Sequence, residues 1–205
     1  MISALEALER LRRGNKRFVT GEVDHDATAN RRHRPNMTAS QNPFAILLAC
    51  SDSRVPTELI FDQGIGDLFV IRVAGNIVAP SQIGSIEFAA TQFGTRLVIV
   101  LGHTNCSAII ATLNELAKKD APRSPNLLAI IDRVRPAIQH ILTENGDHEA
   151  EEVVDAAVRA NVRASVGRLQ HGSLIIESLI DDGKLQICGA EYSIETGKVE
   201  FFVDE

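Results

Sequence analysis

Phe44-Ala45-Ile46-Leu47-Leu48-Ala49 is an unbroken apolar run, and it passes directly into Cys50-Ser51-Asp52-Ser53-Arg54. A run this short and this continuously apolar suits a strand of a parallel sheet, which is covered on both faces and so shows no polar alternation. Three other runs match it: Leu68-Phe69-Val70-Ile71-Arg72-Val73, Leu97-Val98-Ile99-Val100-Leu101 and Leu185-Gln186-Ile187-Cys188. Helical spacing of apolar residues lies between them, at 81–93 (Ile83, Ile86, Phe88, Ala89, Ala90, Phe93) and at 105–118 (Cys106, Ile109, Ile110, Leu113, Leu116). Strands alternating with helices imply βαβ units. The expectation is an α/β fold: a mostly parallel central sheet of four strands plus an antiparallel edge strand, flanked by helices.

Working outward, residues 127–142 and 149–180 read as further helices, separated by Glu144-Asn145-Gly146-Asp147. The longer one is expected to break near Gly167 or Gly172, because glycine interrupts helices. Residues 119–126 read as a polar loop. Glu195-Thr196-Gly197-Lys198 reads as a turn into a last strand, Val199 to Val203, antiparallel at the sheet edge. Ahead of the first strand, Ile2, Leu5, Leu8, Leu11 and Phe18 recur at mostly three-residue spacing, which makes 2–18 an amphipathic helix in need of an apolar surface, on its own domain or on a partner. Residues 20–43 are polar and aperiodic and read as an extended arm.

The 205 residues fit one domain, and 44% hydrophobic with 23% charged residues is ordinary globular usage. Net charge is −6. Binding to nucleic acid by phosphate neutralisation needs clustered Lys and Arg, and this balance opposes it; Arg31-Arg32-His33-Arg34 is short and reads as a solvated arm. No apolar run reaches the ~20 residues of a membrane span. The N-terminal segment has no basic and apolar leader pattern, so the cytoplasm is the expected compartment. Three cysteines, Cys50, Cys106 and Cys188, suit free thiols or metal thiolates rather than a disulfide framework.

Two strands end in reactive residues: Cys50-Ser51-Asp52-Ser53-Arg54, and Gly102-His103-Thr104-Asn105-Cys106. Ligands bind at the C-terminal ends of strands in open α/β sheets. Two thiolates and an imidazole are a known ligand set for catalytic zinc, which keeps a fourth position open. The candidate ligands are Cys50, His103 and Cys106. Cys106, at the start of a helix, is expected to gain thiolate character from the helix dipole. Asp52 could reach the metal from its two-residue spacing to Cys50, and Arg54 is placed to hold its carboxylate in an ion pair. Cys188, inside a core strand, reads as a small buried hydrophobe. His25, His33, His140, His148 and His171 read as solvated.

The paired motifs resemble the β-class carbonic anhydrases. The likeness runs through Ala49-Cys50-Ser51-Asp52-Ser53-Arg54-Val55-Pro56, Phe61-Asp62-Gln63-Gly64, Gly66-Asp67-Leu68-Phe69-Val70, Val73-Ala74-Gly75-Asn76, Gly84-Ser85-Ile86-Glu87-Phe88-Ala89 and Leu101-Gly102-His103-Thr104-Asn105-Cys106. It continues more weakly at Ala160-Asn161-Val162 and Gly189-Ala190-Glu191-Tyr192-Ser193-Ile194-Glu195-Thr196-Gly197. The resemblance implies reversible hydration of CO2 to bicarbonate and a proton through zinc-bound hydroxide. It puts the zinc ligands on Cys50, His103 and Cys106, and a catalytic dyad on Asp52 and Arg54; the two-residue spacing of Asp52 from Cys50 makes it the candidate fourth ligand in a closed state. It puts substrate contacts on Gln41 and Phe69, and on Phe88 where plant-like members carry a tyrosine.

The resemblance also implies a homodimer or a dimer of dimers, with pockets at the subunit interface. Residues 1–40 would then pack on a partner subunit, within a single domain spanning 1–205. Arg72 and Tyr192 match two residues of a regulatory bicarbonate site found in some bacterial members, but Leu47 stands at the tryptophan position of that site. Two other readings keep the same cluster. One is an enzyme acting on another cumulene such as CS2, the other a non-enzymatic zinc or thiol sensor, which would have no use for the Asp52–Arg54 pair.

Overall fold

In an extended strand successive side chains point to opposite faces, and the central strands use that alternation to build two cores. The computed structural model describes residues 2–23, 40–117, 124–141 and 150–202. Its sheet has five strands in the order β2-β1-β3-β4-β5: β1 (Ala45–Ala49), β2 (Leu68–Arg72), β3 (Leu97–His103), β4 (Gln186–Tyr192) and β5 (Val199–Phe202). β1–β2, β1–β3 and β3–β4 are parallel and β4–β5 is antiparallel, as expected from the sequence. Ala45, Leu47 and Ala49 of β1 share one core with Leu97, Ile99 and Leu101 of β3, while Ile46, Leu48, Val98 and Val100 face the other. Every residue of β1 and β3 is buried, which is why neither shows polar alternation.

Seven α-helices are present among the described residues: α1 (Ala4–Thr20), α2 (Thr57–Ile60), α3 (Pro80–Gln92), α4 (Ser107–Ala117), α5 (Pro125–Ile138), α6 (Glu151–Gln170) and α7 (Leu174–Asp181). The pattern at 149–180 divides at Gly172, and Ser173 opens α7 by accepting the Ile176 N–H at 3.3 Å. The short α2 was not foreseen. β4 continues four residues past Cys188. There Gly189 is forced small, since a Cβ would lie 2.9 Å from Val162, and buried Glu191 is paired at 2.8 Å with Arg159 of α6. Residues 24–39, most of the 119–126 loop, the 144–147 separator and Val203 lie outside the described residues.

α1 begins in a capping box, with Ser3 and Glu6 satisfying each other's backbone N–H, and ends at Gly21 in the left-handed region, φ 73°. Its buried face is Ala7, Leu8, Leu11, Gly14 and Asn15, while Leu5 is 67% exposed. That face packs on the sheet core of its own chain. A Cβ on Gly14 would lie 1.8 Å from the Phe61 carbonyl, so only glycine admits this approach. Asn15 donates to the carbonyls of Ile60 and Gly197 and accepts the Val199 N–H at 2.9 Å, and Arg10 pairs with Asp67 at 2.9 Å. Of the segment 1–40 assigned above to a partner, residues 4–20 therefore use their apolar face within the chain.

Candidate metal centre

β1 and β3 are neighbours, with Ala49 beside Leu101, so the residues that follow them emerge side by side. Cys50 directly follows β1, His103 is the last residue of β3, and Cys106 directly precedes α4. The Sγ atoms of both cysteines and a ring nitrogen of His103 all lie within 4.8 Å of one another, and all three residues are buried. Against them pack Ile109 and Leu113 of α4, Val134 and Ile138 of α5, and Val154, Ala157 and Val158 of α6, in an otherwise apolar third core.

His103 Nδ1 lies 2.9 Å from the Thr104 carbonyl, which can only accept, so Nδ1 carries the proton. Nε2 is fully buried, with no hydrogen-bond partner among the described residues. A buried polar atom left unmatched is costly unless it binds something else. Thr104 is itself fixed to the end of β4: its N–H donates to Tyr192 O at 3.0 Å and its Oγ1 accepts the Ile194 N–H at 3.1 Å. This orients the imidazole through its outer nitrogen.

The two thiols are pulled in opposite directions, Cys50 downward. The hydrogen bond from Cys106 is the largest cause lowering its pKa; His103 and the N–H groups of Gly75 and Asp52 add to it, and burial opposes it. Cys106 is pushed up, first by that same hydrogen bond, then by burial and by the charge on Cys50. The N–H groups of Ala108 and Ile109 do lower it, as expected for a thiol at a helix start, but they are outweighed.

Asp52 and Arg54 come together as the sequence implies. Arg54 Nε and Nη2 donate to the two Asp52 oxygens at 2.9 and 2.8 Å, and the Arg54 N–H adds a third bond at 2.9 Å. Arg54 Nη2 also reaches the Asn105 carbonyl at 3.2 Å, tying the two motifs to each other. These donors hold the Asp52 carboxyl well below the usual carboxylate range. Its Oδ2 is 4.0 Å from His103 Nε2. Asp52 is not one of the residues whose ligand atoms share the 4.8 Å cluster among the described residues.

The other expected site residues do not reach this cluster. Gln41 is exposed and precedes Pro43, whose carbonyl accepts from Thr95 at the opposite end of the sheet. Phe69 pairs with Ile46 near the start of β1. With a rise of about 3.3 Å per residue, β1 alone separates its two ends by ~13 Å. Phe69 instead joins Phe88 and Phe93 at ring separations of 6.5 and 6.1 Å, and Phe88 is 51% exposed. Cys188 donates to the Phe202 carbonyl within the core, apart from the cluster. His140 and His171 are exposed, as expected.

Two contributors to the site had no clear signal in the sequence. Arg72, beside Ala49 in the sheet register, donates through Nε to the Cys50 carbonyl at 3.0 Å and through Nη2 to that of Asp52. Gly75, in the turn Ala74–Asn76, donates its N–H to Cys50 Sγ at 3.4 Å. Both are polar groups at strand ends, but only the register shows what they face.

Residues 45–199 match the family model described as carbonic anhydrase. A carbonic anhydrase of Mycolicibacterium smegmatis is 38% identical over 95% of this chain and 91% of its own. Carbonic anhydrase 2 of Mycobacterium tuberculosis is 35% identical over 94% and 89%. A solved structure of Coccomyxa β-carbonic anhydrase in complex with acetazolamide superposes with a TM-score of 0.73 at 25% identity, covering 86% of this chain and 79% of that one. No described helix is long and apolar enough to cross a membrane. With its sheet order, its buried Cys-His-Cys cluster and these relatives in agreement, the chain belongs to the β-class carbonic anhydrases.

Proposed function

We propose that Cys50, His103 and Cys106 hold a catalytic zinc ion, and that Asp52 and Arg54 are the hydrogen-bonding dyad beside it in reversible CO2 hydration. The observation that carries this reading is the convergence of a His103 ring nitrogen and two thiol sulfurs within 4.8 Å, with Nε2 of that ring buried and unbonded among the described residues. An imidazole nitrogen and two cysteine sulfurs are a donor set zinc takes, and three protein donors leave a fourth position for substrate chemistry. When bound, zinc supplies a Lewis acid that makes water available as a nucleophile near neutral pH.

The remaining chemistry belongs to the chain. Asp52, ionised and gripped by Arg54, is an acceptor only. From 4.0 Å off the His103 ring it can take a hydrogen bond from a hydroxyl at the site and so fix the direction of that oxygen's lone pair. Arg54 cannot lose its proton in this setting, and its backbone link to Asn105 keeps the carboxylate from rotating away. CO2 is small and apolar, so its pocket needs aliphatic and aromatic walls with few polar groups.

The substrate contacts assigned to Gln41, Phe69 and Phe88 fit a second copy of the chain. These residues sit near the opposite end of β1 from their own cysteine, so each pocket would be completed by residues of a partner, in a homodimer or a dimer of dimers.

Stopped-flow CO2 hydration on the purified protein tests the reading. Activity should vanish after chelation, return with one zinc per chain, and fall at least a hundredfold in zinc-loaded Asp52→Ala. Faster CS2 hydrolysis than CO2 hydration on the same sample would reassign the substrate. Full activity in zinc-loaded Asp52→Ala would overturn the role of the dyad.

A further inference from the structure

We infer that Asn161, on α6, is a positioning residue of the metal centre: it holds Gly75 so that the Gly75 N–H stays on the Cys50 sulfur. The inference rests on the zinc reading above.

The face that α6 turns toward the cluster is apolar, built from Val154, Ala157, Val158 and Val162. Asn161 interrupts it with a side chain only 1% exposed. A buried amide is unfavourable there unless it is bonded. Its Nδ2 donates to Gly75 O at 2.9 Å, while its Oδ1 has no partner among the described residues, so this donation is the bond its side chain makes there.

Gly75 is where such a bond has leverage. It sits at φ 68°, ψ 21°, and a Cβ there would lie 3.3 Å from Ala108 of α4. Glycine has no strong preference of its own, so the direction of its N–H must be set from outside. One end of the turn is fixed by the Asn76 N–H to Val73 O bond at 3.0 Å. Ser165, four residues after Asn161 on the same helix, donates to Asn76 O at 3.3 Å. Among the described residues Asn161 is the side chain that grips Gly75 itself, and Gly75 donates to Cys50 Sγ at 3.4 Å. The path from α6 to the thiolate is therefore two hydrogen bonds long. Hydrogen bonds to a metal ligand from outside tune its basicity and orientation, and their loss typically weakens metal binding about 10–100-fold.

The test measures zinc affinity by competition with a chromophoric chelator on the full-length protein, for the parent, Asn161→Ala and Ser165→Ala. Asn161→Ala should bind zinc at least tenfold more weakly, and its cobalt-substituted form should show a shifted thiolate-to-cobalt charge-transfer band. Ser165→Ala removes a bond to the same turn without releasing Gly75, so its zinc affinity should stay within twofold of the parent. A folded Asn161→Ala protein with parental zinc affinity and band position overturns the inference. So does an equal loss in Ser165→Ala, which would mean that general loosening of the turn is responsible. Should Asn161→Ala not fold, Asn161→Ser takes its place. In the parent protein loaded with cadmium-113, the Gly75 amide proton should show scalar coupling to the metal across the sulfur, and its absence overturns the inference whatever the variants do. A parent protein that binds no zinc defeats the metal reading instead, which separates the two failures.

Discussion

Arg54 closes on Asp52 with three donors, two from its guanidinium and one from its own backbone, while the same guanidinium reaches across to the Asn105 carbonyl of the other motif. The carboxylate is thus fixed in charge and in direction at once. Charge-assisted, bidentate pairs combine strength with geometric specificity. Lysine would keep the charge and lose the fork. Arg54→Lys should therefore retain zinc and lose about tenfold or more in kcat/KM, as read from stopped-flow hydration with metal analysis of the same sample. Parental activity in Arg54→Lys would show that charge alone suffices.

Arg72 acts on the backbone rather than on a side chain. It bridges the carbonyls of Cys50 and Asp52, so the backbone at both residues is set by one guanidinium. Arg72→Lys cannot span both acceptors. The expected outcome is a lower kcat at unchanged thermal stability, since Arg72 itself is exposed. A Tm loss with parental kcat would make Arg72 structural only.

Much of this was readable from residues alone. β1 and β3 announce themselves because every side chain in them is buried, which writes an unbroken apolar run. Cys50, His103 and Cys106 could be grouped because adjacent parallel strands bring their ends together. Three features were not readable. β4 continues through Gly189 and Glu191, whose identities answer to Val162 and Arg159 of α6, contacts distant in sequence. The face of α1 that packs within the chain includes Gly14 and Asn15, chosen by the backbone of Phe61 and by carbonyls of Ile60 and Gly197, while Leu5 lies off it. The opposite pulls on the two thiols arise from their mutual approach, which no spacing rule contains.

Gly14 offers a test of α1 docking. Alanine in a helix interior is ordinarily worth up to about 1 kcal/mol over glycine. Here the new Cβ would meet the Phe61 carbonyl at 1.8 Å, and backbone cannot yield as a side-chain end does. Overpacking costs ~1–3 kcal/mol or more, so the clash wins. Gly14→Ala should lower Tm by several degrees in a thermal melt; a raised Tm would mean that α1 does not dock against Phe61.

Glu191 predicts a pH dependence. Burial pushes its carboxyl up; Arg159 opposes this, and Asp155 and Glu200 add to it. A raised folded-state pKa means that the native state holds the proton longer than the unfolded chain. Stability therefore falls as pH rises from the ordinary glutamate range through the raised value. Glu191→Gln removes that loss, while Arg159 keeps Glu200 at 2.6 Å. The Tm of Glu191→Gln relative to the parent should become more favourable from pH 4 to pH 8. A difference that is flat with pH, or that moves the other way, would contradict the burial of an ionisable Glu191.

The central claim is that Cys50 and Cys106, with His103, hold the metal of the active enzyme. Zinc-edge X-ray absorption on fully active protein addresses it most directly. The expected spectrum has two sulfur neighbours at about 2.3 Å and two lighter ones at about 2.0–2.2 Å. A shell of nitrogen and oxygen alone, or activity in a sample that carries no metal, would contradict it.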